Sequence, residues 1–428
     1  MRSTITCDME GVIETMNEGA EKIFGYKKEE LIGKKRVSLF SPGEIVLQNV
    51  AGWLDTAVKE GEYKGETYFV NKQGEKINAK IRITPTFSDG KDKPQTGYCG
   101  VTEVIEKEVQ VPINFSTKLI KGLAITRMPF TSASLLPVAV VGAYFAGFGD
   151  GLFNIPLFVL TLFGILIAHL GINVFNDYFD VKDGTDEANA EYFQQVSGGS
   201  RAIELGLISL AGTRKLAIIL ILIALIIGGY IVTNVNPANM NGVWQILISG
   251  LLLGYFYTAK PLRLVARRGL GEIAIFLAFG PLLTLGTGFA IFKGDFASSE
   301  HFLNCMLMGI PMGLLTTNIL LINEFPDMKS DATTGKNHLV VTFGKKASRW
   351  IYLLFLILAV GSSFYMYQTI GNQYLLIPTV FCLLFGLYIF KHILKHYEMR
   401  SLVDANWKTI GLQALYSIIL CVCLLLGF

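Results

Sequence analysis

Two clusters of acidic and amide side chains stand where two apolar segments of the sequence end. In the first cluster, at residues 173–186, a helix would place Asn173, Asp177 and Asp180 on one face, at spacings of four and three. Carboxylates at the end of a membrane helix are costly to desolvate, so they are functional candidates by default. A solvated loop would explain the acidic residues at 183 and 186, but not the clustering with Asn173 and Asn176.

The second cluster spans residues 323–336. Asn323, Asp327 and Asp331 share one helical face at spacings of four, and Pro326 is expected to kink this helix because it removes a backbone hydrogen bond. Mg²⁺ takes oxygen ligands and is often held by one or two carboxylates together with substrate phosphates. Two such clusters on one side of a membrane therefore suggest divalent cations bridged by a polyanion.

Membrane helices are the elements that must position these clusters. Of the 428 residues, 51% are hydrophobic and only 17% are charged, whereas soluble domains carry about 25% charge. Nine apolar segments are long enough, or nearly so, to cross a membrane. They lie near residues 131–149, 155–176, 213–234, 242–258, 270–292, 302–325, 350–371, 375–394 and 408–428.

The loops between these segments predict the orientation. Seventeen Lys and Arg residues follow the even-numbered segments, whereas the alternate loops carry only Lys293. Positive charge is retained on the cytoplasmic side, so the N-terminus and both acidic clusters are expected in the cytoplasm of a multi-pass cell-membrane protein. The net charge of +3 is too small to indicate a nucleic-acid partner.

Residues 1–110 are expected to form a separate small α/β domain, followed by a linker at 111–126 and a membrane domain at 127–428. Residues 76–83 alternate polar and apolar, as in a half-buried strand, after a probable turn at 71–74. Short helices are predicted at 17–24 and 29–32. The six cysteines form no CxxC pair and are interpreted as small buried hydrophobes.

The N-terminal domain resembles a PAS domain. The runs at 8–13, 17–20, 24–26 and 30–34 are similar to its start, and 100–106 to its last strand. The domain contains no histidine, which disfavours a histidine-ligated haem, and it lacks the cysteine motif of light-sensing flavin relatives. Two interpretations stay open: a sensor of a small molecule, and a dimerisation or docking module.

The membrane part resembles the UbiA superfamily of intramembrane prenyltransferases, because it pairs an NDxxD motif in the second segment with NExxDxxxDxxxGK in the sixth. The form is similar to 1,4-dihydroxy-2-naphthoate prenyltransferases of menaquinone synthesis, whose NDxxDxxxGxD pattern is matched by Asn176, Asp177, Asp180, Gly184 and Asp186. Glu324, Pro326 and His338 depart from the second motif as it is usually written. The resemblance implies an all-α multi-pass membrane bundle of nine transmembrane helices, preceded by the small α/β PAS-like domain.

The resemblance also implies a reaction and its residues. A polyprenyl group would pass from polyprenyl diphosphate to an aromatic acceptor, with Mg²⁺ neutralising the diphosphate and the lipid tail in an apolar groove. The implied metal ligands are Asp177, Asp180, Asp186, Asp327 and Asp331, all but Asp186 also being catalytic. The implied substrate-binding residues are Asn173, Asn176, Arg201, Tyr257, Lys260, Asn323 and Lys336. The aromatic faces of Tyr178, Tyr255 and Tyr257 would stabilise an allylic cation, although each is also typical of an interfacial anchor.

Two kinds of alternative remain at this point. The acceptor could instead be 4-hydroxybenzoate, homogentisate or a glycerol phosphate lipid. In another class, the chain would be a PAS-linked membrane receptor or transporter. Transporters place their polar residues near the bilayer midplane, whereas these carboxylates stand at helix ends, which favours the enzyme.

We predict that both acidic clusters face the cytoplasm. Single cysteines at Gly184 and at Thr334, in a chain without its native cysteines, should react in intact cells only with a membrane-permeant reagent. Labelling of either position by an impermeant reagent would reverse the orientation.

Overall fold

The computed structural model describes residues 2–88, 90, 93–184 and 199–427. The chain divides into two compact units: Met1–Thr126 with Ser200–Gly212, and Arg127–Gly199 with Thr213–Phe428. The sequence analysis assigned residues 200–212 to the membrane domain, but the structure groups them with the N-terminal unit.

The first unit is built on a five-stranded antiparallel sheet, with strand order β2-β1-β5-β4-β3. The strands are β1 (Arg2–Asp8), β2 (Ile13–Met16), β3 (Tyr63–Val70), β4 (Lys76–Thr86) and β5 (Gly97–Val104). The predicted strand at 76–83 lies in β4, and the predicted turn closes the β3–β4 hairpin, where Gly74 supplies a φ of +82°.

Short helices flank this sheet: α1 (Glu18–Phe24), α2 (Lys28–Leu31), α3 (Gly43–Ile45) and α4 (Ala51–Glu60). Asn17 caps α1 by accepting a hydrogen bond from the Ala20 amide, and Gly25 ends it in the left-handed conformation. Aromatic rings fill the core beneath, with Phe24 and Phe40 stacked at 4.1 Å between centroids. The two helices predicted from the sequence are both present.

The predicted linker contains a helix, α5 (Phe115–Ile125), that is bonded to the first unit. The Gln48 side chain accepts hydrogen bonds from the Asn114 amide at 3.1 Å and from the Thr117 hydroxyl at 2.8 Å. Lys121 pairs with Glu44 at 2.6 Å. The chain between the sheet and residue 126 is therefore partly held in place by side-chain contacts.

Residues 200–212, which we name the inserted segment, pack against α3. A Cβ atom added at Gly43 would collide with the carbonyl of Leu205 and the side chain of Leu207. Leu207 is itself buried. The glycine at position 43 thus permits the inserted segment to lie directly against the backbone of the first unit.

The second unit is a bundle of helices. They are α6 (Ser132–Phe148), α7 (Ile155–Lys182), α8 (Leu210–Asn234, of which the first turn falls in the first unit), α9 (Met240–Thr258), α10 (Leu270–Phe279), α11 (Pro281–Ile291), α12 (Glu300–Thr333), α13 (Leu339–Phe343), α14 (Lys345–Ile370), α15 (Leu376–His396) and α16 (Val403–Leu426). All nine predicted segments are helical. Among the described residues, seven spans are long and apolar enough to cross a membrane.

The fifth predicted segment is interrupted at Gly280. Gly280, with φ −116° and ψ −110°, separates α10 from α11 and precedes Pro281. A Cβ atom at Gly280 would lie 2.6 Å from the Gly309 carbonyl, and one at Gly313 would lie 2.5 Å from the Phe276 carbonyl. These three glycines let α10 and α11 approach the backbone of α12, which also packs against α14 and α16.

Two helices are longer than the hydrocarbon core of a bilayer is thick. At 1.5 Å per residue, the 28 residues of α7 extend about 42 Å and the 34 residues of α12 about 51 Å, whereas the hydrocarbon core is about 30 Å thick. Both helices carry their acidic cluster in the last three turns. This length allows the clusters to stand beyond the hydrocarbon while the rest of each helix stays within it.

Candidate functional site

The last turns of α7 carry the first acidic cluster, with Asp177 buried and Asp180 half-buried. The Arg127 guanidinium, just before α6, lies 4.0 Å from the Asp177 carboxylate. Asn176 accepts a hydrogen bond from the Thr258 hydroxyl at 3.0 Å, which joins α7 to the end of α9. The cluster is therefore fixed to two other elements of the bundle.

The last turns of α12 carry the second cluster. Asn323 and Asp327 are half-buried, and Asp331 is buried. Asp331 also accepts a hydrogen bond at its backbone carbonyl from the Lys336 amide, at 2.9 Å. Gly335, with φ +72°, makes the turn that folds the chain back after the helix.

Lys336 brings the two clusters together. Its ammonium lies 2.6 Å from a carboxylate oxygen of Asp180 on α7 and 4.0 Å from one of Asp331 on α12. The side chain is 9% exposed, so this charge meets both carboxylates away from bulk water. A buried ammonium shared by two carboxylates lowers the electrostatic cost of bringing the acidic helix ends together.

The loop between α9 and α10 adds positive charge on the other side of Asp183. Arg263 lies 3.3 Å and Lys260 3.9 Å from the Asp183 carboxylate. Arg263 also donates to the Thr334 carbonyl at 3.1 Å, so it connects the end of α7 with the end of α12. The Lys260 side chain remains 77% exposed, whereas that of Arg263 is 14% exposed.

A buried group of acids and one histidine lies at the end of α12. His338 is 3.1 Å from Asp331 through Nε2 and 3.2 Å from Glu324 through Nδ1. Burial lowers the pKa of His338, but the field of Glu324 and the hydrogen bonds to Asp331 and Glu324 outweigh this effect and raise the pKa to about 10. Glu272 on α10 accepts from the Leu339 amide at 2.7 Å. His338 therefore lies between two acidic side chains, Asp331 and Glu324.

Asn406 on α16 supports the second cluster, and the sequence analysis did not single it out. Pro326 has no N–H, so it leaves the carbonyl of Ile322, four residues earlier, without its helical donor. The buried Asn406 amide donates to that carbonyl at 3.2 Å and to the Asn323 side chain at 2.7 Å. The helix continues through Pro326 to Thr333. One side chain thus replaces the lost bond and orients Asn323.

Aromatic side chains surround the ends of α7 and α9. Tyr255 lies 6.0 Å from Phe175 and 6.3 Å from Phe179 between ring centroids, and Lys182 lies over the Tyr178 ring at 5.8 Å. Tyr255 is 46% exposed, which fits a side chain at the surface of the bundle.

Tyr257 is an aromatic residue that interacts with the acidic site. It interacts electrostatically with Glu324, Glu272, Asp180 and Asp331.

The donor set suits Mg²⁺ in part. The carboxylates of Asp177, Asp180, Asp327 and Asp331 are hard oxygen ligands, which is the chemistry that Mg²⁺ prefers. Among the described residues, no group of three or more acidic, His or Cys side chains is already arranged to hold a metal ion. Asp186 lies outside the described residues. The chain therefore offers ligands at two helix ends, which phosphate oxygens would complete.

Arg201 belongs to the first unit, within the inserted segment. Its guanidinium pairs with Glu204 at 3.1 Å, and its φ is +54°. His169, interpreted from the sequence as a packed or hydrogen-bonded histidine, is buried and shares a hydrogen bond with Ser134 at 2.5 Å.

A protein-family model described as the UbiA prenyltransferase family matches residues 135–408. The chain belongs to the UbiA prenyltransferase family. A PAS domain model matches residues 2–104, so this prenyltransferase carries a PAS domain at its N-terminus. Both predicted resemblances are thereby confirmed.

Individual relatives are similar to this prenyltransferase over about half to two thirds of its length. It is 27% identical over 292 residues to the chloroplastic 2-carboxy-1,4-naphthoquinone phytyltransferase of Arabidopsis thaliana, covering 66% of this chain and 68% of that protein. It is also 27% identical over 237 residues to the 1,4-dihydroxy-2-naphthoate octaprenyltransferase of Haemophilus influenzae, covering 54% and 71%. The chain spans about two thirds of the length of the curated relatives it matches.

Among solved structures, a UbiA homologue from Archaeoglobus fulgidus bound to DMAPP and Mg²⁺ is similar, with a TM-score of 0.51 and 16% identity. The match covers 71% of this chain and 99% of that one. At this identity the likeness shows the fold of the prenyltransferase.

The hydrogen bond from Asn406 to the Ile322 carbonyl, which Pro326 leaves without its helical donor, yields a stability prediction. Replacing Asn406 by Leu removes the donor to the Ile322 carbonyl and should lower the unfolding free energy by about 1–3 kcal/mol, because a buried acceptor loses its partner. Pro326→Ala restores an N–H that can reach this carbonyl. Asn406→Leu should therefore cost less in the Pro326→Ala background.

Thermal unfolding in detergent of four proteins, namely the unmodified protein, Asn406→Leu, Pro326→Ala and the double variant, measures the effect. An equal shift of the melting temperature in both backgrounds would show that Asn406 does not compensate for Pro326.

Proposed function

We propose that this prenyltransferase transfers a polyprenyl group from polyprenyl diphosphate to an aromatic acceptor of the dihydroxynaphthoate type, with Mg²⁺, as a step of menaquinone or related quinone synthesis. The observation that carries the proposal is the meeting of both acidic clusters at Lys336, 2.6 Å from Asp180 and 4.0 Å from Asp331. A diphosphate needs such a site, with cation ligands and positive side chains side by side.

The chemistry begins with the bond between the prenyl carbon and the diphosphate oxygen. It breaks with its electron pair leaving on the diphosphate, and a new carbon–carbon bond forms with an electron-rich ring carbon of the acceptor. That ring carbon then loses its substituent as a proton, or as carbon dioxide where it carried a carboxylate, and the bonding pair returns to the ring. Mg²⁺ held by Asp177, Asp180, Asp327 and Asp331, with Asp186, would neutralise the diphosphate and improve it as a leaving group.

The side chains of this protein would bind and orient the diphosphate. Lys336 and Lys260 would contact phosphate oxygens as point charges, and Arg263 as a planar fork that can donate two hydrogen bonds. Asn173, Asn176 and Asn323 would complete the polar wall. Asn176 and Asn323 are already held by Thr258 and Asn406, which keeps their orientation.

The aromatic ring of Tyr257 would face the allylic carbon as the diphosphate leaves. A ring face stabilises a nearby cation by its quadrupole, most strongly where water is excluded. The position of Tyr257 among Asp180, Asp331, Glu272 and Glu324 supports this role. Tyr178 and Tyr255, which lie in the aromatic group on α7 and α9, would add the wall along which the prenyl chain enters.

Two observations support the acceptor and the metal. Relatives at 27% identity are named for naphthoquinone and dihydroxynaphthoate acceptors, and the Archaeoglobus homologue of the same fold is bound to DMAPP and Mg²⁺. The other acceptors considered from the sequence remain distinguishable by assay. Nine membrane helices and a cytoplasmic site and N-terminal domain are parts of the same proposal, supported by the seven spans and the distribution of basic residues.

We predict that Asp177→Ala or Asp327→Ala abolishes transfer while the protein remains folded and inserted. Each change removes a proposed Mg²⁺ ligand and leaves the apolar packing intact. Asp404→Ala is the matched control, because Asp404 is an exposed acid at the start of α16.

Turnover of purified protein with a polyprenyl diphosphate and dihydroxynaphthoate, 4-hydroxybenzoate or homogentisate, with and without EDTA, measures the outcome. Activity within about threefold of the unmodified enzyme, a difference below 1 kcal/mol in barrier, for either variant would refute the site.

We further propose that the PAS domain modulates transfer through the inserted segment. Residues 200–212 follow the first acidic cluster along the chain, carry Arg201, and pack against Gly43 of the first unit. A change in the PAS domain that altered this packing would alter the segment that carries Arg201, which the sequence motif implies as a substrate-binding residue. A small-molecule ligand and dimerisation remain the two ways in which the domain would receive its signal.

Gly43→Val tests this route. The added side chain collides with the Leu205 backbone, which cannot rotate away, so it should loosen the inserted segment and raise KM for polyprenyl diphosphate by about fivefold or more. Gly52→Ala is the control, since a Cβ atom there meets nothing within 4 Å. Unchanged kcat and KM in a folded Gly43→Val protein would separate the PAS domain from the reaction.

A further inference from the structure

Glu324 and His338 are two of the positions at which the second acidic cluster departs from its usual pattern, and the structure brings them into contact. They are 14 positions apart in the chain, one inside α12 and one just before α13, and their side chains are 3.2 Å apart. Glu324 is 5% exposed and His338 1%. The two residues that depart from the pattern thus form one buried pair.

Through His338, the pair contacts one of the two carboxylate oxygens of Asp331. Nε2 of His338 lies 3.1 Å from Oδ2 of Asp331, whereas Oδ1 of the same carboxylate is the atom 4.0 Å from Lys336. One oxygen is thus held by the histidine, and the other points to the shared ammonium between the clusters. A carboxylate held at one oxygen loses rotational freedom about its last bond.

The position of His338 is itself fixed from two sides. Its Nδ1 lies 3.2 Å from Glu324 and 3.3 Å from the Val341 amide, at the start of α13. Glu272 from α10 holds the neighbouring Leu339 amide at 2.7 Å. The imidazole therefore cannot turn away from Asp331 without breaking contacts to α12, α13 and the chain between them.

We propose that the Glu324–His338 pair is a positioning device that orients Asp331 for a divalent cation at the two acidic clusters. This inference rests on the proposed function, in which Asp331 is a metal ligand. His338 acts through Asp331 and need not touch substrate. Groups that hydrogen-bond to a metal ligand without touching the metal typically contribute a factor of about 10–100 to metal affinity.

Direct binding of Mn²⁺ to the full-length protein in detergent, followed by electron paramagnetic resonance with and without a non-reactive prenyl thiodiphosphate, tests the proposal. His338→Ala should weaken Mn²⁺ binding about 10–100-fold. His169→Ala is the matched control: it removes another buried histidine, bonded to Ser134 on α6, and should leave the affinity unchanged.

The double variant distinguishes positioning from independent effects. Because Glu324 acts through His338, Glu324→Ala combined with His338→Ala should bind Mn²⁺ no more weakly than His338→Ala alone. Losses that multiply would overturn the proposed pairing. His338→Gln keeps a donor for Asp331 and should lose less affinity than His338→Ala; it also carries the test if the alanine variant does not fold.

The outcomes separate this inference from the function on which it rests. If the unmodified protein binds no Mn²⁺ even with the thiodiphosphate, the proposed metal site fails. If it binds Mn²⁺ and both His338 variants bind equally well, the metal site stands and the positioning role is wrong.

Discussion

The structure of the second unit depends on neutralising carboxylates that its fold brings together away from water. Asp177, Asp331, Glu272 and Glu324 are each less than 9% exposed, and uncompensated charges at such depth would cost several kcal/mol each. Basic side chains that lie between helices and loops of this unit supply the compensating charge. Lys336 joins α7 to α12, Arg263 joins Asp183 to the end of α12, and His338 joins two acids of α12. The same contacts that balance charge also fix the helix ends relative to one another.

This arrangement gives the site a property that apolar packing would not. In the proposed function, a diphosphate and its metal ions would engage the same groups, so substrate binding would exchange one set of charge pairs for another. Lys336 thus already holds the two helix ends near one another, although no three acidic, His or Cys side chains among the described residues yet surround a metal ion.

The sequence predicts what depends on local geometry. The faces shared by Asn173, Asp177 and Asp180, and by Asn323, Asp327 and Asp331, follow from 3.6 residues per turn, and the hairpin at 71–74 follows from turn chemistry. Contacts between distant positions leave no such periodic signal. Asn406 meets Ile322 from 84 positions away, and Glu324 meets His338 across a turn whose direction the spacing does not give.

Tertiary packing also overrode two local expectations. The apolar run at 270–292 looks like one helix, but close approach of Gly309 and Gly313 is possible only if the chain changes direction at Gly280. Residues 200–212 look like a loop of the membrane domain, yet they cluster with the first unit, where Leu207 lies against Gly43. In both places the deciding neighbour lies far away in sequence, so pattern alone could not identify it.

The position of the inserted segment in the chain bears on the proposed modulation by the PAS domain. Residues 200–212 cluster with the first unit, yet they follow α7, which carries the first acidic cluster, and lead into α8. A ligand or partner of the first unit can shift such an arrangement only by as much as its affinities for the two positions differ.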